Sequence, residues 1–203
     1  MRVGVSLGLA VSLATMSSGV SGASSSVVKN SAYGFTFALP DHWQSVPLSG
    51  GDISGILDLM TKADPGLAGS LTTQVKRAVK QGIKVFVVGP ISHHFASNIN
   101  ILAAPQSVGP STSGYFDEIG VAVKVNLASS GMKNVVTSVV HWPQGRVLQV
   151  TYSFHLVVPH LLVEGLQDYV WHKGRIFVVT FSSTAMSTDR SIARVVGHSW
   201  RWT

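Results

Sequence analysis

The chain contains no cysteine, few charged residues and no apolar run of the roughly twenty residues that a membrane-spanning helix needs. The absence of cysteine excludes a disulfide framework, a thiolate metal site, cysteine catalysis and a lipid attached through a thioether. Charged residues make up 12% of the 203 residues and hydrophobic residues 45%, which indicates a compact folded chain rather than a disordered one. An apolar core must therefore supply the stability.

Acidic residues are scarce as well. The chain has 15 Lys and Arg against 9 Asp and Glu, which gives a net charge of +6. The basic residues are scattered and do not interleave with aromatic residues, so we predict that the protein does not bind nucleic acid. The positive excess favours an anionic partner, such as a lipid headgroup, an acidic envelope polymer or an acidic protein face, or it serves solubility alone.

Residues 1–23 have the pattern of an export signal peptide. Arg2 is followed by an apolar run over Val3–Thr15, and Ser21-Gly22-Ala23 is a small-residue cleavage site. The run of about thirteen residues is shorter than the roughly twenty that a membrane-spanning helix needs. We therefore predict cleavage after Ala23 and a secreted, extracytoplasmic protein without a transmembrane span, with a retained anchor as the alternative. Export without cysteine indicates a bacterial source.

The remaining chain is long enough for one domain, at 33–203, after a polar linker at 24–32. Alternating aromatic and aliphatic residues at 33–39 predict a half-buried strand, which Pro40-Asp41 ends. Apolar residues at three- and four-residue spacing predict helices that begin at Asp52, at Asp64-Pro65, near 114 and near 188. A short strand predicted at 44–48 is expected to pair with the strand at 33–39. Further strands are predicted at 83–88, 95–102, 135–141, 146–158, 165–172, 175–183 and 199–203, with a turn at Gly89-Pro90.

This order of elements predicts an α+β fold with a mostly antiparallel sheet, because helices interrupt the first half and a meander of strands fills the second. Four patches then carry a family resemblance. They are G-F-T-F-A-L-P-D-H-W at 34–43, F-A-S-N-I-N-I-L at 95–102, the Lys173-Gly174 hairpin leading into I-F-V-V-T-F-S-S, and a closing helix before S-W-R-W.

In this order the patches resemble the PsbP-like superfamily over nearly all of 33–203. That superfamily includes photosystem II extrinsic subunits, a small nuclear Ran-binding factor and exported actinobacterial envelope proteins. The Asp64-Pro65 helix ahead of the N-I-N-I strand makes the chain most similar to the actinobacterial branch. The resemblance implies a three-layer α/β/α sandwich and a non-enzymatic accessory role. The chain lacks the lipid-attachment cysteine of the lipoprotein members.

Candidate binding residues occur after the first strand, in the loop beyond Gly89-Pro90 and on the strand at 146–158. On that strand, alternate residues join the core, and the residues between them form a polar side that either binds a partner or faces solvent. Adjacent histidines on an extended backbone point to opposite sides, so we predict no metal site there. The candidate binding residues are His42, Trp43, His93, His94, Gln149, Thr151, Ser153 and His155.

The sequence carries no catalytic signature. It has no G-x-S-x-G elbow, no histidine pair at metalloprotease spacing and no glycine-rich phosphate loop. We therefore predict a non-catalytic binding protein without a cofactor that recognises an envelope or secreted protein, with anionic lipid as a further possible partner. The alternative is a carrier of a lipid or other apolar small molecule held between the sheet and the helices at Asp52 and Asp64. A hydrolase is the weaker alternative.

Overall fold

The computed structural model describes residues 26–46, 48, 82–92, 95–104, 113–156 and 160–203. These residues form ten strands and two helices. The strands are β1 (Val27–Asn30), β2 (Phe35–Ala38), β3 (Gln44–Val46), β4 (Ile83–Ser92), β5 (Phe95–Ala103), β6 (Lys133–Trp142), β7 (Gly145–Leu156), β8 (Leu161–His172), β9 (Arg175–Ser183) and β10 (Arg201–Trp202), and the helices are α1 (Ser113–Ser129) and α2 (Met186–Ser199).

The strands form two antiparallel sheets, which confirms the α+β class and the mostly antiparallel pairing. The larger sheet has the order β3-β4-β5-β9-β8-β7-β6, and the smaller has the order β1-β2-β10. The meander β6 to β9 follows from its turns. At the β8–β9 turn, for example, Lys173 and Gly174 have φ angles of 47° and 74°, which suit the two-residue turn of a tight hairpin.

The two helices lie on opposite faces of the larger sheet, because successive residues of a strand point to opposite sides. Val147 packs in one apolar cluster with α2 and the small sheet, whereas Leu148 packs in a second cluster with α1. We call these the α2 face and the α1 face. The three-layer arrangement stays a prediction, since the helices predicted at Asp52 and Asp64 lie outside the described residues, as do the leader and most of the loop at 104–113.

Three local predictions differ from the structure. Val27–Asn30, in the predicted linker, forms β1 and pairs with β2. The short strand at Gln44 pairs with β4 instead of β2. Gly89-Pro90 lies within β4 instead of forming a turn, and the pairing with β5 is irregular between Val88 and Ile91, which accommodates the proline.

The aromatic cluster of the small sheet fixes α2 against the larger sheet. Trp200, at the end of α2, is fully buried, and its ring centroid lies 4.6 Å from that of Phe35 and 5.8 Å from that of Trp142. Gly197 allows this approach, since a Cβ there would lie 2.6 Å from the Trp142 ring. The closing helix and β10 are therefore part of the core.

Candidate functional site

The alternation along β7 separates an apolar side from a polar side, as predicted, and the polar side lies on the α2 face. Leu148, Val150, Tyr152 and Phe154 belong to the apolar cluster on the α1 face. Of the alternate residues, Gln149 and Thr151 are half-buried, Ser153 is buried and His155 is exposed. These four residues therefore have different surroundings, although they share one side of one strand.

Thr151 and Ser153 line a half-open cleft of about 200 Å³ at the N-terminal end of α2. The cleft brings together three adjacent strands and the helix, and most of its lining side chains are polar or charged. The lining residues are Asn134, Thr151, Tyr152, Ser153, Glu164, Gly165, Met186 and Arg190.

Asn134 reaches the cleft because β6 is irregular at its start. The pairing of β6 with β7 shifts between Lys133 and Val136, and Asn134 has a φ of 53°, a conformation that asparagine adopts more readily than most residues. Asn134 Nδ2 donates a hydrogen bond to Ser153 Oγ at 3.0 Å. This bond holds the amide and the hydroxyl side by side in the cleft.

Two opposite charges line the same cleft. Glu164 lies directly across from Ser153 in the β7–β8 register, and Arg190 is an exposed residue of α2. A carboxylate, a guanidinium, an amide and two hydroxyls can recognise a polar or charged side chain by hydrogen bonds. No sequence pattern identifies Asn134, Glu164 or Arg190 as site residues, since they come from segments far apart in the chain.

Gln149 has a structural partner on the same face. Its Nε2 donates to Oδ1 of Asp168 at 2.9 Å, and Asp168 is 1% exposed. Burial raises the pKa of the Asp168 carboxyl from 3.8 to about 7, and the bond from Gln149 offsets only part of this shift. The Oδ2 atom of Asp168 has no hydrogen-bond partner. The hydrogen bond from Gln149 therefore stabilises the buried Asp168 side chain.

Strand β6, next to the cleft, forms an edge of the larger sheet, and no strand among the described residues pairs with its outer side. Val136 pairs with Thr151 in the register and is 58% exposed, and Val139 is 37% exposed. The cleft and the edge of β6 are therefore contiguous.

The other predicted binding residues lie elsewhere or outside the described part. His42 is exposed in the turn after β2, with a φ of 67°. Trp43 is 5% exposed, and its ring lies against β4, where a Cβ on Gly89 would be 2.5 Å from it. Because β5, β9 and β8 separate β4 from β7, the structure does not bring these residues to the cleft. Their role in binding stays a prediction, and His93 and His94 lie outside the described residues.

A second polar group lies on the α1 face, enclosed within the protein. We call it the inner polar row: Asn98 and Asn100 of β5, Thr180 and Ser182 of β9, and Gln167 of β8. All five side chains are at most 1% exposed. A two-residue turn at Lys173-Gly174 predicts from the sequence that Gln167 and Thr180 lie opposite each other, and the register confirms it. In the sequence, Asn98 and Asn100 alternate with apolar residues in the predicted strand, and this alternation indicates a polar side of β5.

Two buried tyrosines extend this row. Tyr169 Oη donates to Gln167 Oε1 at 2.8 Å, and Gln167 Nε2 donates to Tyr152 Oη at 3.4 Å. Burial raises the pKa of both phenols, so both stay neutral. The Tyr152 ring lies across Gly165, where a Cβ would be 2.2 Å from it, which explains why this position of β8 has no side chain.

A network of two serines and one carboxylate joins the strands to the start of α2. Ser97 Oγ and Ser183 Oγ donate to Asp189 Oδ2 at 2.9 and 2.5 Å, and the N–H of Ala185 donates to Ser183 Oγ at 2.8 Å. The network explains why α2 begins at Met186, slightly before the predicted start. The hydroxyls of Ser97 and Ser183 therefore have a structural role at the N-terminal end of α2.

Within the described ranges, no three or more His, Cys, Asp or Glu residues are placed to share a metal ion. Within the same ranges, neither helix has the length and apolar character needed to cross a membrane.

Comparison with known proteins gives a likeness of fold at low sequence identity. No family profile matches the chain, and no curated protein matches it in sequence. The solution structure of cyanobacterial PsbP (CyanoP) from Synechocystis matches at 15% identity with a TM-score of 0.51, over 93% of this chain and 98% of CyanoP. LpqN, involved in cell envelope biogenesis of Mycobacterium tuberculosis, matches at 13% identity with a TM-score of 0.46, over 90% of this chain and 87% of LpqN. The chain thus has the fold of the PsbP-like protein CyanoP.

Proposed function

We propose that this protein is a secreted, non-catalytic binding protein that acts in the cell envelope or the medium by recognising another protein. The export pattern at residues 1–23 supports the location. The observation that supports protein recognition is the edge of β6 beside the cleft. An edge strand can bind an extended peptide through its backbone, and an adjacent pocket can bind one of the peptide's side chains.

The partner contributes an extended segment that adds to the sheet next to β6. Backbone N–H and C=O groups on the outer side of an edge strand can pair with such a segment. Val136 and Val139 contact its apolar side chains, and one polar side chain enters the cleft between Glu164 and Arg190. The excess of 15 basic over 9 acidic residues favours an acidic partner.

The test places a photo-reactive amino acid at Val136 and, as a control, at Val121. Both residues are exposed, at 58% and 66%, but Val121 lies on the outer side of α1. In the secreting host, one protein should cross-link from Val136 and not from Val121. With that protein purified, Val136→Asp should weaken binding by roughly tenfold or more, and Val121→Asp should leave it unchanged. Equal binding by wild type and Val136→Asp would reject the proposal.

A small-molecule carrier is the second candidate. The observation in its favour is the inner polar row, in which Asn100, Thr180 and Ser182 have buried polar atoms without hydrogen-bond partners. A wholly apolar ligand would leave these atoms unpaired. A carrier function therefore requires a ligand with polar groups.

A further inference from the structure

Basic and aromatic side chains that are far apart in the sequence come together where the small sheet packs on the larger sheet. Four of them are half-buried and Arg175 is exposed. We call these residues the basic aromatic patch: Tyr33 in the turn between β1 and β2, Lys84 near the start of β4, His172 at the end of β8, Arg175 at the start of β9, and Trp202 in β10.

Ring contacts join the two sides of this patch. The rings of Tyr33 and Trp202 both lie against Phe177 of β9, with centroids 6.2 and 5.2 Å from that of Phe177. The His172 ring stacks on the Trp202 ring, with 3.8 Å between centroids and 7° between planes. The patch is therefore one continuous surface with fixed aromatic rings.

Two cations share one aromatic ring in the patch. Lys84 Nζ and Arg175 Cζ each lie 5.4 Å from the centroid of the Tyr33 ring, so the two positive charges are within twice that distance of each other. The segments that form the patch, 27–38, 82–88, 170–177 and 200–203, contain no Asp or Glu. An anion bound beside Tyr33 would reduce the repulsion between the two cations.

Three more basic residues surround the patch. Lys173 is exposed in the β8–β9 turn; burial and then the charge of Lys173 lower the pKa of the His172 imidazole. Lys29 and Arg201 are exposed on the outer side of the small sheet, where each pairs with Thr36. The basic residues that are scattered in the sequence are therefore concentrated around the small sheet.

This combination of residues fits the surface of an anionic membrane. Trp and Tyr rings, which are apolar with one polar group, are favoured at the level of the lipid headgroups. Each Lys or Arg close to an anionic membrane strengthens binding about fivefold. An acidic protein would match the charge but would not by itself account for the aromatic rings among the cations. Export, predicted from residues 1–23, would bring the protein to such a surface.

We propose that the basic aromatic patch docks this protein on a membrane that contains anionic lipid, with Lys84 and Arg175 at the lipid phosphates and Trp202 among the headgroups. The cleft lies beside Glu164, near the other end of β8 and about 26 Å along the strand from His172. Docking therefore leaves the cleft free. It goes beyond protein recognition by β6 and does not depend on it.

The test is sedimentation of the secreted protein with vesicles of phosphatidylcholine alone, or of equal parts of phosphatidylcholine and phosphatidylglycerol. The protein should bind only the mixed vesicles, and salt should release it because salt screens charges. The double variant Lys84→Gln, Arg175→Gln should bind at least tenfold more weakly. The matched control is Lys124→Gln, Lys133→Gln, which removes the same charge from exposed positions of α1 and β6 and should bind within about twofold of the wild type.

A second readout places Trp202 at the membrane. Phosphatidylglycerol with brominated acyl chains quenches the fluorescence of tryptophans that approach the lipid. Quenching should occur in the wild type and should be mostly lost in Trp202→Phe. Trp171→Phe is the control, because Trp171 is also half-buried but packs on the α1 face. Equal quenching in the two variants would contradict contact through the patch.

The remaining outcomes overturn the proposal. Binding to neither kind of vesicle would mean that the patch faces solvent or contacts an acidic protein. Equal losses in the double variant and its control would mean that net charge alone attracts the protein. If the double variant does not fold, Lys173→Asn, which suits the positive φ of that turn, should bind about fivefold more weakly. Cross-linking from Val136 reports only on recognition by β6, so the two proposals can fail separately.

Discussion

The two faces of the larger sheet bury polar side chains in different ways, and adjacent residues of β8 show the difference. Gln167, on the α1 face, is a neutral amide bonded to the hydroxyls of Tyr152 and Tyr169. Asp168, on the α2 face, is a carboxyl with one bond, from Gln149. A neutral amide can be satisfied by neutral partners at any pH, whereas a buried carboxyl is tolerated well only when it is protonated. Stability should therefore depend on pH through the α2 face.

The largest expected effect is the pH dependence caused by Asp168. Its pKa is about 7 in the folded protein against an ordinary value of 3.8, so the folded state binds the proton more tightly than the unfolded state. The free energy of unfolding should fall as pH rises from about 4 to about 7 and then level off, with a total loss on the order of 4 kcal/mol from this group. Urea unfolding at a series of pH values measures this loss.

Asp168→Asn removes the titration and keeps an oxygen that can accept the bond from Gln149. This variant should be more stable than the wild type at about pH 8, by on the order of 2 kcal/mol, and close to it at about pH 5. The matched control is Asp117→Asn, because Asp117 is an exposed residue of α1. This variant should have the same stability as the wild type at both pH values. The same pH slope in the wild type and in Asp168→Asn would contradict this account.

The next largest effect concerns the close approach of Tyr152 to β8 on the α1 face. A Cβ at Gly165 would lie 2.2 Å from the Tyr152 ring, so Gly165→Ala must displace a buried aromatic residue. We expect a loss of about 3 kcal/mol in the free energy of unfolding, measured in urea.

Gly120→Ala is the control for this substitution. Gly120 lies in α1, where a Cβ would make an ordinary contact with Leu148 Cδ1 at 3.6 Å. Alanine favours the helix, so this variant should gain about 0.5 to 1 kcal/mol. A stable Gly165→Ala protein would mean that the tyrosine ring has room to move and that packing does not require glycine at this position.

The sequence predicted the parts of the fold that depend on neighbouring residues. The alternation along β7 separated Gln149 from Val150 correctly, and the Lys173-Gly174 turn placed Gln167 opposite Thr180, because a two-residue turn sets the register of its hairpin. These predictions needed only the local period and the turn.

Contacts between distant segments could not be predicted in this way. The strand at Gln44 pairs with β4 across a long stretch of chain, and Trp43 enters the core because Gly89 leaves space for its ring. The cleft likewise needs Asn134 and Arg190 to meet at β7, which depends on an irregularity in β6 and on where α2 begins. No pattern within one segment carries that information.

A smaller effect separates the satisfied from the unsatisfied members of the inner polar row. Gln167→Leu removes the acceptor for Tyr169 and the donor for Tyr152 and leaves two buried hydroxyls without their partner. We expect a loss of about 2 kcal/mol in the free energy of unfolding, since a buried group that loses its partner costs about 1 to 3 kcal/mol. Unchanged stability in urea would show that the tyrosines find other partners.

Thr180→Val should have the smallest effect and the opposite sign. Valine has nearly the shape of threonine, and the Thr180 hydroxyl is buried without a partner, so its removal takes away an unsatisfied group and leaves the packing intact. We expect a gain of about 1 kcal/mol in urea unfolding. A loss of stability in this variant would mean that Thr180 already has a partner, such as ordered water.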